Sequence, residues 1–355
     1  MHELMVQDPK VTLKSRLNMQ KSMKKVLVTG AGGFLGRTLI QALISRGCHV
    51  VCVDHFVTNR PESLPSKQTE IVRTDIRDKA ALTRAMNGVD AVFHLAAACN
   101  TRSLQRSREI NVKGTRRVAE AARDQCRPPT FVYVSSLAAA GPRNTACRES
   151  DPCAPVSHYG RTKLEAENVL RAMSDQLPVT IVRPPCVFGP GDMNLLTLFR
   201  TVKRGWNFVT SQTYSYSFLY IDDLIDGLIA AVQYGQRVSS VEDQSNPGIY
   251  YLCDQHAVTF PELGEMIADV LNRKRVRHVE IPRSLCWAIG ATSDVVSRIA
   301  RKKFYMNLDK IREGLAGSWL CDCSRASREL RFAPAASLKT RLQETNQFYQ
   351  SAKLL

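Results

Sequence analysis

Three glycines set three residues apart, Gly30, Gly33 and Gly36, separate an apolar run (Val26-Leu27-Val28-Thr29) from a stretch with helical apolar spacing (Leu39, Ile40, Leu43, Ile44). Strand, glycine turn and helix in that order admit few folds. The first glycine permits a tight turn with unusual backbone angles. The second lets backbone N–H groups approach a pyrophosphate, and the third lets helix and strand pack closely. The positive end of the helix dipole then points at the phosphates. Gly47 stops the helix, and a second apolar run, His49 to Asp54, follows it.

The same alternation continues downstream. Strands are predicted at Glu70–Arg73, Ala91–Leu95, Thr130–Ser135 and Val179–Arg183, with helices at Ala80–Met86, Asn111–Arg123 and Tyr159–Met173 between them. Strands and helices alternating at this pitch predict an α/β fold, a doubly wound parallel sheet. Beyond Gly189-Pro190-Gly191 the rhythm loosens. The spacing there predicts a helix at Leu195–Lys203, a hairpin around Phe208–Phe218, a helix at Asp222–Val232 and one more strand at Gly248–Cys253. Four helices, at 260–272, 284–299, 308–314 and 338–349, make residues 255–350 a mainly helical cap, and 236–247 reads as a polar loop. The division expected is a disordered basic tail at 1–22 (Met19 or Met23 being alternative starts), a dinucleotide domain at 23–190 completed by about 218–254, and a substrate-binding cap from 191–217 and 255–350.

Composition narrows the class. Of 355 residues, 44% are hydrophobic and 23% charged, which argues against a disordered or collagen-like chain. Lys and Arg number 49 against 33 acidic residues, a net charge of +16. With no basic strip interleaved with aromatics, this fits a basic enzyme better than a nucleic-acid binder. The 11 cysteines include no CxxC pair, and Cys321 and Cys323 form only a CxC, so no metal site is expected. An odd set of thiols without disulfide spacing suggests a reducing, cytosolic compartment. Nothing reaches the roughly 18 uninterrupted apolar residues of a membrane span.

Two further features carry chemistry. Asp54 ends the second strand, where a carboxylate accepts hydrogen bonds from the adenosine ribose and repels a 2′-phosphate. It favours NAD over NADP, although Arg60 leaves NADP open and a turn-capping role is the plain alternative. Tyr159 and Lys163 stand at i and i+4 on a helix and share a face. A phenol of ordinary pKa near 10 is a poor proton shuttle at neutral pH, and a neighbouring ammonium stabilises the tyrosinate.

With TGAGGFLG (29–36), VDHF (53–56), DIRD (75–78), FHLAA (93–97), NVKGT (111–115), YVSS (133–136), YGRTK (159–163), RPPCVFGPGD (183–192) and YIDDL (220–224) in order, the chain resembles the extended short-chain dehydrogenases/reductases from about Lys24 to Tyr349. Its NAD-dependent epimerase/dehydratase-like members of the 3β-hydroxysteroid dehydrogenase and dihydroflavonol reductase type are the nearest in kind. The resemblance implies a Rossmann-type fold with Tyr159 as general acid/base. Lys163 would bind the nicotinamide ribose and tune Tyr159. Ser136 would hold the reacting oxygen, with Ser135 as fallback or substrate contact, and Asn111 would support the site. The plain alternatives are a strand-end cap for Ser136 and a helix N-cap for Asn111. Gly30, Gly33, Phe34, Leu35 and Gly36 would hold the cofactor with Asp54. Asp75 and Ile76 would sit at the adenine, Leu95, Ala96 and Ala97 would line the dinucleotide, and Pro184 to Val187 would meet the nicotinamide end. Cys99 and Cys186 read as wall residues. The resemblance also implies a homodimer packed through the Asn111 and Tyr159 helices.

On substrate, the resemblance divides. Nucleotide-sugar members usually carry an arginine just before the YIDDL-like segment to clamp a diphosphate. Tyr216 stands at that position here and Ser217 replaces the usual acid. Dehydratases tend to have an Asp-Glu pair after the catalytic hydroxyl, and this chain has Leu137-Ala138. An apolar hydroxy or keto substrate is therefore expected, with Met193 and Tyr216 at its pocket. The alternatives are a nucleotide-sugar epimerase or dehydratase and a non-catalytic dinucleotide sensor. Basic residues 273–277, with Arg298, Arg301, Lys302 and Lys303, bracket an apolar helix containing Trp287, which reads as peripheral membrane contact or as a solvated face.

Overall fold

The computed structural model describes residues 23–56, 67–99, 103–299 and 307–355. The expected tail at 1–22, Arg60 and the basic run at 301–303 lie outside the described residues.

The chain opens with β1 (Lys25–Thr29), α1 (Phe34–Ser45), β2 (His49–Asp54), β3 (Thr69–Arg73), α2 (Lys79–Ala85) and β4 (Ala91–His94). A helix α3 follows, α-helical over Leu104–Ser107 and Thr115–Arg123 but π-helical over Arg108–Gly114. Then come β5 (Thr130–Val134), the one-turn α4 (Leu137–Ala140), α5 (His158–Arg171) and β6 (Val179–Arg183). With β11 (Ile249–Tyr251), these strands form a seven-stranded sheet in the order β11-β6-β5-β4-β1-β2-β3. Every pairing in it is parallel. The expected doubly wound α/β sheet is present. Its inner strands are Val-rich and buried on both faces, as a parallel sheet covered by helices requires. Val26 and Val28 join one core with α1, while Leu27 joins the other with α2 and α3.

The strand order reverses between β1 and β4. At such a switch point the connections leave in opposite directions and open a crevice at the carboxyl ends of the strands.

Beyond β6 the chain forms β7 (Cys186–Phe188), α6 (Met193–Lys203), β8 (Trp206–Val209), β9 (Ser215–Tyr216), β10 (Phe218–Tyr220) and α7 (Ile221–Tyr234). After β11 come β12 (Val258–Thr259), α8 (Phe260–Val270), β13 (Arg277–Glu280), α9 (Arg283–Ile299), α10 (Leu308–Leu315), α11 (Ser324–Glu329) and α12 (Leu338–Ser351). Two expectations need correction. The hairpin around 208–218 does not form: β8 pairs with β13, β9 with β12 and β10 with β7. Each short apolar run takes a partner far along the chain, so consecutive runs cannot pair with each other. The helix predicted from Asn111 begins seven residues earlier, at Leu104. Asn111 therefore lies inside a helix, which rules out the N-cap reading.

Candidate active site

The glycine loop sits at the crevice. Gly30 has φ +73°, and a Cβ there would meet the Ala96 backbone nitrogen at 2.9 Å. Only glycine lets the loop after β1 pass so close to the segment Leu95–Ala97 that leaves β4. A Cβ on Gly36 would strike the Gly30 carbonyl oxygen at 2.2 Å, so α1 is packed hard under the loop. Gly33 caps α1 without a side chain, and no acid stands in the first turn, where Phe34 and Leu35 lie. With no acid in its own first turn, the N-terminus of α1 suits a pyrophosphate.

The predicted adenosine end shows where its carboxylates are engaged. Asp54 accepts the Gly32 and Phe56 N–H groups, each at 3.0 Å, so it braces the glycine loop. Asp75 is bound by the Arg77 guanidinium, with His55 at 3.5 Å, and Arg77 holds its pKa below the usual carboxylate range. Ile76 is buried beneath Gly114.

α5 carries Tyr159 in its first turn. Ser157 caps the helix by accepting the Gly160 N–H at 2.9 Å. The Asp309 carboxylate, from α10, accepts the N–H groups of His158 at 2.8 Å and Tyr159 at 3.2 Å. A carboxylate from α10 thus satisfies the open end of this helix. A Cβ on Gly160 would meet the Ala138 carbonyl oxygen at 2.1 Å, so α5 rests directly on α4. Ser136 caps α4, its hydroxyl accepting the Ala138 N–H at 3.1 Å. The Tyr159 phenol is half-buried, and desolvation pushes its pKa well above the usual value, with Cys99 and Tyr133 adding to the rise. The Lys310 ammonium lies 5.4 Å from its ring centre.

One turn on, Lys163 is buried and donates to the Val134 carbonyl at 2.6 Å, with its ammonium 4.4 Å from the centre of the Tyr133 ring. Burial pulls its pKa down to about 8. The lysine expected to lower the tyrosine pKa gives its hydrogen bond to the strand, while burial raises the pKa of the phenol. Ser135 is turned elsewhere. Its hydroxyl donates to Glu167, which is clamped by Arg183 at 2.6 and 3.0 Å, and Arg183 donates to the Tyr251 hydroxyl at 2.9 Å.

Asn111 joins the two halves of the site. Its side chain accepts the Ala98 N–H at 2.7 Å, and donates to the Ala98 carbonyl at 3.2 Å and to the Thr162 hydroxyl at 3.0 Å. The wider turn of a π segment is a frequent companion of such functional positions. His94, which sequence reasoning passed over, bridges Thr29 at 2.6 Å and Thr115 at 2.9 Å. Burial, with Lys163 nearby, pulls its pKa down to about 3, so it is neutral. Pro184 accepts the Leu137 N–H at 2.8 Å, and Val187 lies on β7.

Of the predicted substrate residues, Met193 is exposed at the start of α6, whereas Tyr216 is buried with its ring edge-on to Phe260 at 4.6 Å. Tyr216 belongs to the buried core. The Ser217 hydroxyl accepts the Cys321 N–H at 3.2 Å. Among the described residues no group of three His, Cys, Asp or Glu side chains suits a metal ion. Asp309, Lys310, Glu167 and Arg183 escaped the sequence as site neighbours, and only Arg183 lay in a recognisable motif.

The sequence profile of the NAD dependent epimerase/dehydratase family matches residues 26–244. The ceramide reductase of Caulobacter vibrioides is 30% identical over 300 residues, covering 83% of this chain and 85% of that one. An Escherichia coli O157:H7 enzyme, N-acetyl-alpha-D-glucosaminyl-diphospho-ditrans,octacis-undecaprenol 4-epimerase, is 27% identical over 81% and 84%. The fold is similar to that of Thermotoga maritima UDP-glucose 4-epimerase solved with UDP-glucose, with a TM-score of 0.74 at 19% identity over 93% of this chain and 99% of that one.

Proposed function

The chain belongs to the NAD dependent epimerase/dehydratase family, and from that premise we propose that it interconverts a secondary alcohol and a ketone on a hydrophobic, lipid- or steroid-like substrate. NAD is its cofactor. The glycine loop fits it, since Gly30 and Gly36 let the loop lie close against the Leu95–Ala97 segment and α1, and the first turn of α1 carries no acid. When bound, NAD supplies a hydride acceptor or donor at the nicotinamide ring.

In this reading the protein's residues manage binding and the proton. Gly30, Gly33, Phe34, Leu35 and Gly36 cradle the pyrophosphate, with Asp54, Asp75 and Ile76 toward the adenosine. Leu95, Ala96 and Ala97 flank the dinucleotide, and Pro184 and Val187 bound its reactive end. Tyr159 exchanges a proton with the substrate oxygen, and Ser136 turns its hydroxyl from the α4 cap toward that oxygen. Lys163, together with the positive nicotinamide of bound NAD, would offset the burial that raises the phenol's pKa, and Asn111 keeps the Ala98 segment in step with α5. The chain acts as a cytosolic homodimer, and its cap, formed by 191–217 and 255–350, touches lipid surfaces.

One observation carries the substrate class. The position of the diphosphate-clamping arginine holds Tyr216, an aromatic residue buried against Phe260, and no bidentate cation stands there. The likeness to the Caulobacter ceramide reductase points the same way. The second reading, epimerisation of a nucleotide sugar, is favoured by the likeness to the Escherichia coli epimerase. A coenzyme-reduction screen decides between them, offering sterols, long-chain hydroxy and keto compounds, flavonoid-like ketones, and UDP- and dTDP-sugars. Turnover confined to the apolar compounds is the expected result. Specific binding of a nucleotide sugar with no turnover of the others would transfer the assignment to an epimerase.

A further inference from the structure

α9 is fixed to the body along one narrow face. Cys286 is buried there, and a Cβ on Gly290 would meet Ile311 and Leu308 at 2.9 and 3.2 Å, so α9 lies tight on α10. Between Leu285 and Val296 the described side chains of α9 include large apolar ones turned to solvent. Leu285 is 50% exposed, Val296 48%, Trp287 39% and Ile289 37%. On a helical wheel Leu285, Ile289 and Val296 form one stripe, which Ala288 and Ala291 broaden toward Trp287. From Ser284 to Ser293 this surface has no charged residue, whereas a solvated helix face carries charges at most turns. No helix among the described residues is long and apolar enough to cross a membrane.

The approach to α9 is cationic. Residues 273–283 hold Arg273, Lys274, Arg275, Arg277 and Arg283 against the single carboxylate of Glu280. β13 runs through this stretch and pairs with β8, whose Trp206 and Phe208 are also exposed, 40% and 51%. Their rings stack at 6.2 Å, and the Arg277 guanidinium lies 5.5 Å from the Trp206 ring centre. Aromatic and aliphatic side chains without charge, bordered by arginines and lysines, match the boundary between acyl chains and anionic headgroups. A second copy fits less well. A twofold contact through this face would set the cationic rim of one copy near that of the other.

We propose that α9, with Trp206 and Phe208 of the β8–β13 ribbon, docks flat on an anionic lipid bilayer. Its purpose rests on the reading of a lipid-like substrate, which would enter from the bilayer beside the cap; its test does not.

The test is co-sedimentation of the full-length protein with vesicles of phosphatidylcholine alone, or of phosphatidylcholine with phosphatidylglycerol. Binding to the anionic vesicles that weakens as salt rises is expected, with little on the neutral ones. Trp287→Ser with Ile289→Ser, and separately Arg273→Gln with Arg275→Gln, should each weaken binding by about tenfold or more. Both double variants should keep the thermal stabilisation by NAD, which shows that they are folded. Failure of the parent protein to bind anionic vesicles at low salt would overturn the proposal. So would undiminished binding by both variants, or sedimentation equilibrium in which Trp287→Ser with Ile289→Ser turns a dimer into a monomer, since the face would then belong to a second copy. A chain that fails every substrate in the screen yet binds anionic vesicles through α9 leaves the docking intact and removes only the reading of its substrate.

Discussion

At the scale of single residues, Gly30 and Lys163 show how strongly close packing dictates what each can do. Gly30 adopts a left-handed conformation beside the Ala96 backbone, so a methyl group there meets both steric objections at once. Gly30→Ala should leave a folded protein whose melting temperature no longer rises with added NAD, a linkage read directly by thermal shift. Lys163 is buried and its pKa is depressed to about 8, while in the unfolded chain it titrates near 10.4. Below pH 8 both states hold the proton, and the folded state bears the full cost of the buried charge. Between the two values the unfolded chain binds the proton that the folded one has shed, so stability rises with pH across that window. The gain is of the order of 3 kcal/mol, and Lys163→Met should flatten it in denaturant titrations at pH 7.5 and pH 10.

At the scale of elements, the catalytic helix of the proposed mechanism is held from both sides. Gly160 sets α5 against α4, and Asp309 reaches from α10 to grip the first N–H groups of α5. Hydrogen bonds to a charged acceptor are worth about 1.5–3 kcal/mol, so Asp309→Ala should loosen this end without unfolding the sheet. The amides of His158 and Tyr159 should then exchange with solvent at least about tenfold faster, with Asn at 309 giving an intermediate rate because it retains one acceptor. Unchanged exchange would show that Ser157 alone caps the helix. This clip also marks a limit of sequence reading. The strands at Lys25–Thr29, His49–Asp54 and Val179–Arg183 announce themselves through local apolar runs, and the Tyr159–Lys163 pair through helical spacing. Asp309 lies 150 residues from Tyr159, and an aspartate near a helix start looks like any other. The β8–β13 ribbon was hidden for the same reason, since Trp206 pairs with Arg277 across the whole of α7, β11 and α8. Nor does apolar periodicity reveal the π segment at Arg108–Gly114, although it brings Asn111 between Ala98 and Thr162.

Across the whole molecule, the sheet reversal between β1 and β4 gathers the glycine loop, the Leu95–Ala97 segment, Ser136 and the first turn of α5 along the carboxyl edges of neighbouring strands. Beneath this edge a buried Arg183–Glu167 pair, joined to Ser135 and Tyr251, ties β5, α5, β6 and β11 together. Such a pair fixes geometry more surely than it adds stability. α10 reaches the same edge and places Lys310 at the Tyr159 ring. The chemistry inferred for the chain comes down to the proton on that phenol. Replacing it by Tyr159→Phe and measuring NAD-linked turnover of a compound that the parent converts, alongside NAD affinity, tests the assignment most directly. Turnover should fall by about two to four orders of magnitude while NAD affinity stays within about twofold. A variant that turns over at the parental rate would show that the proton passes through another group.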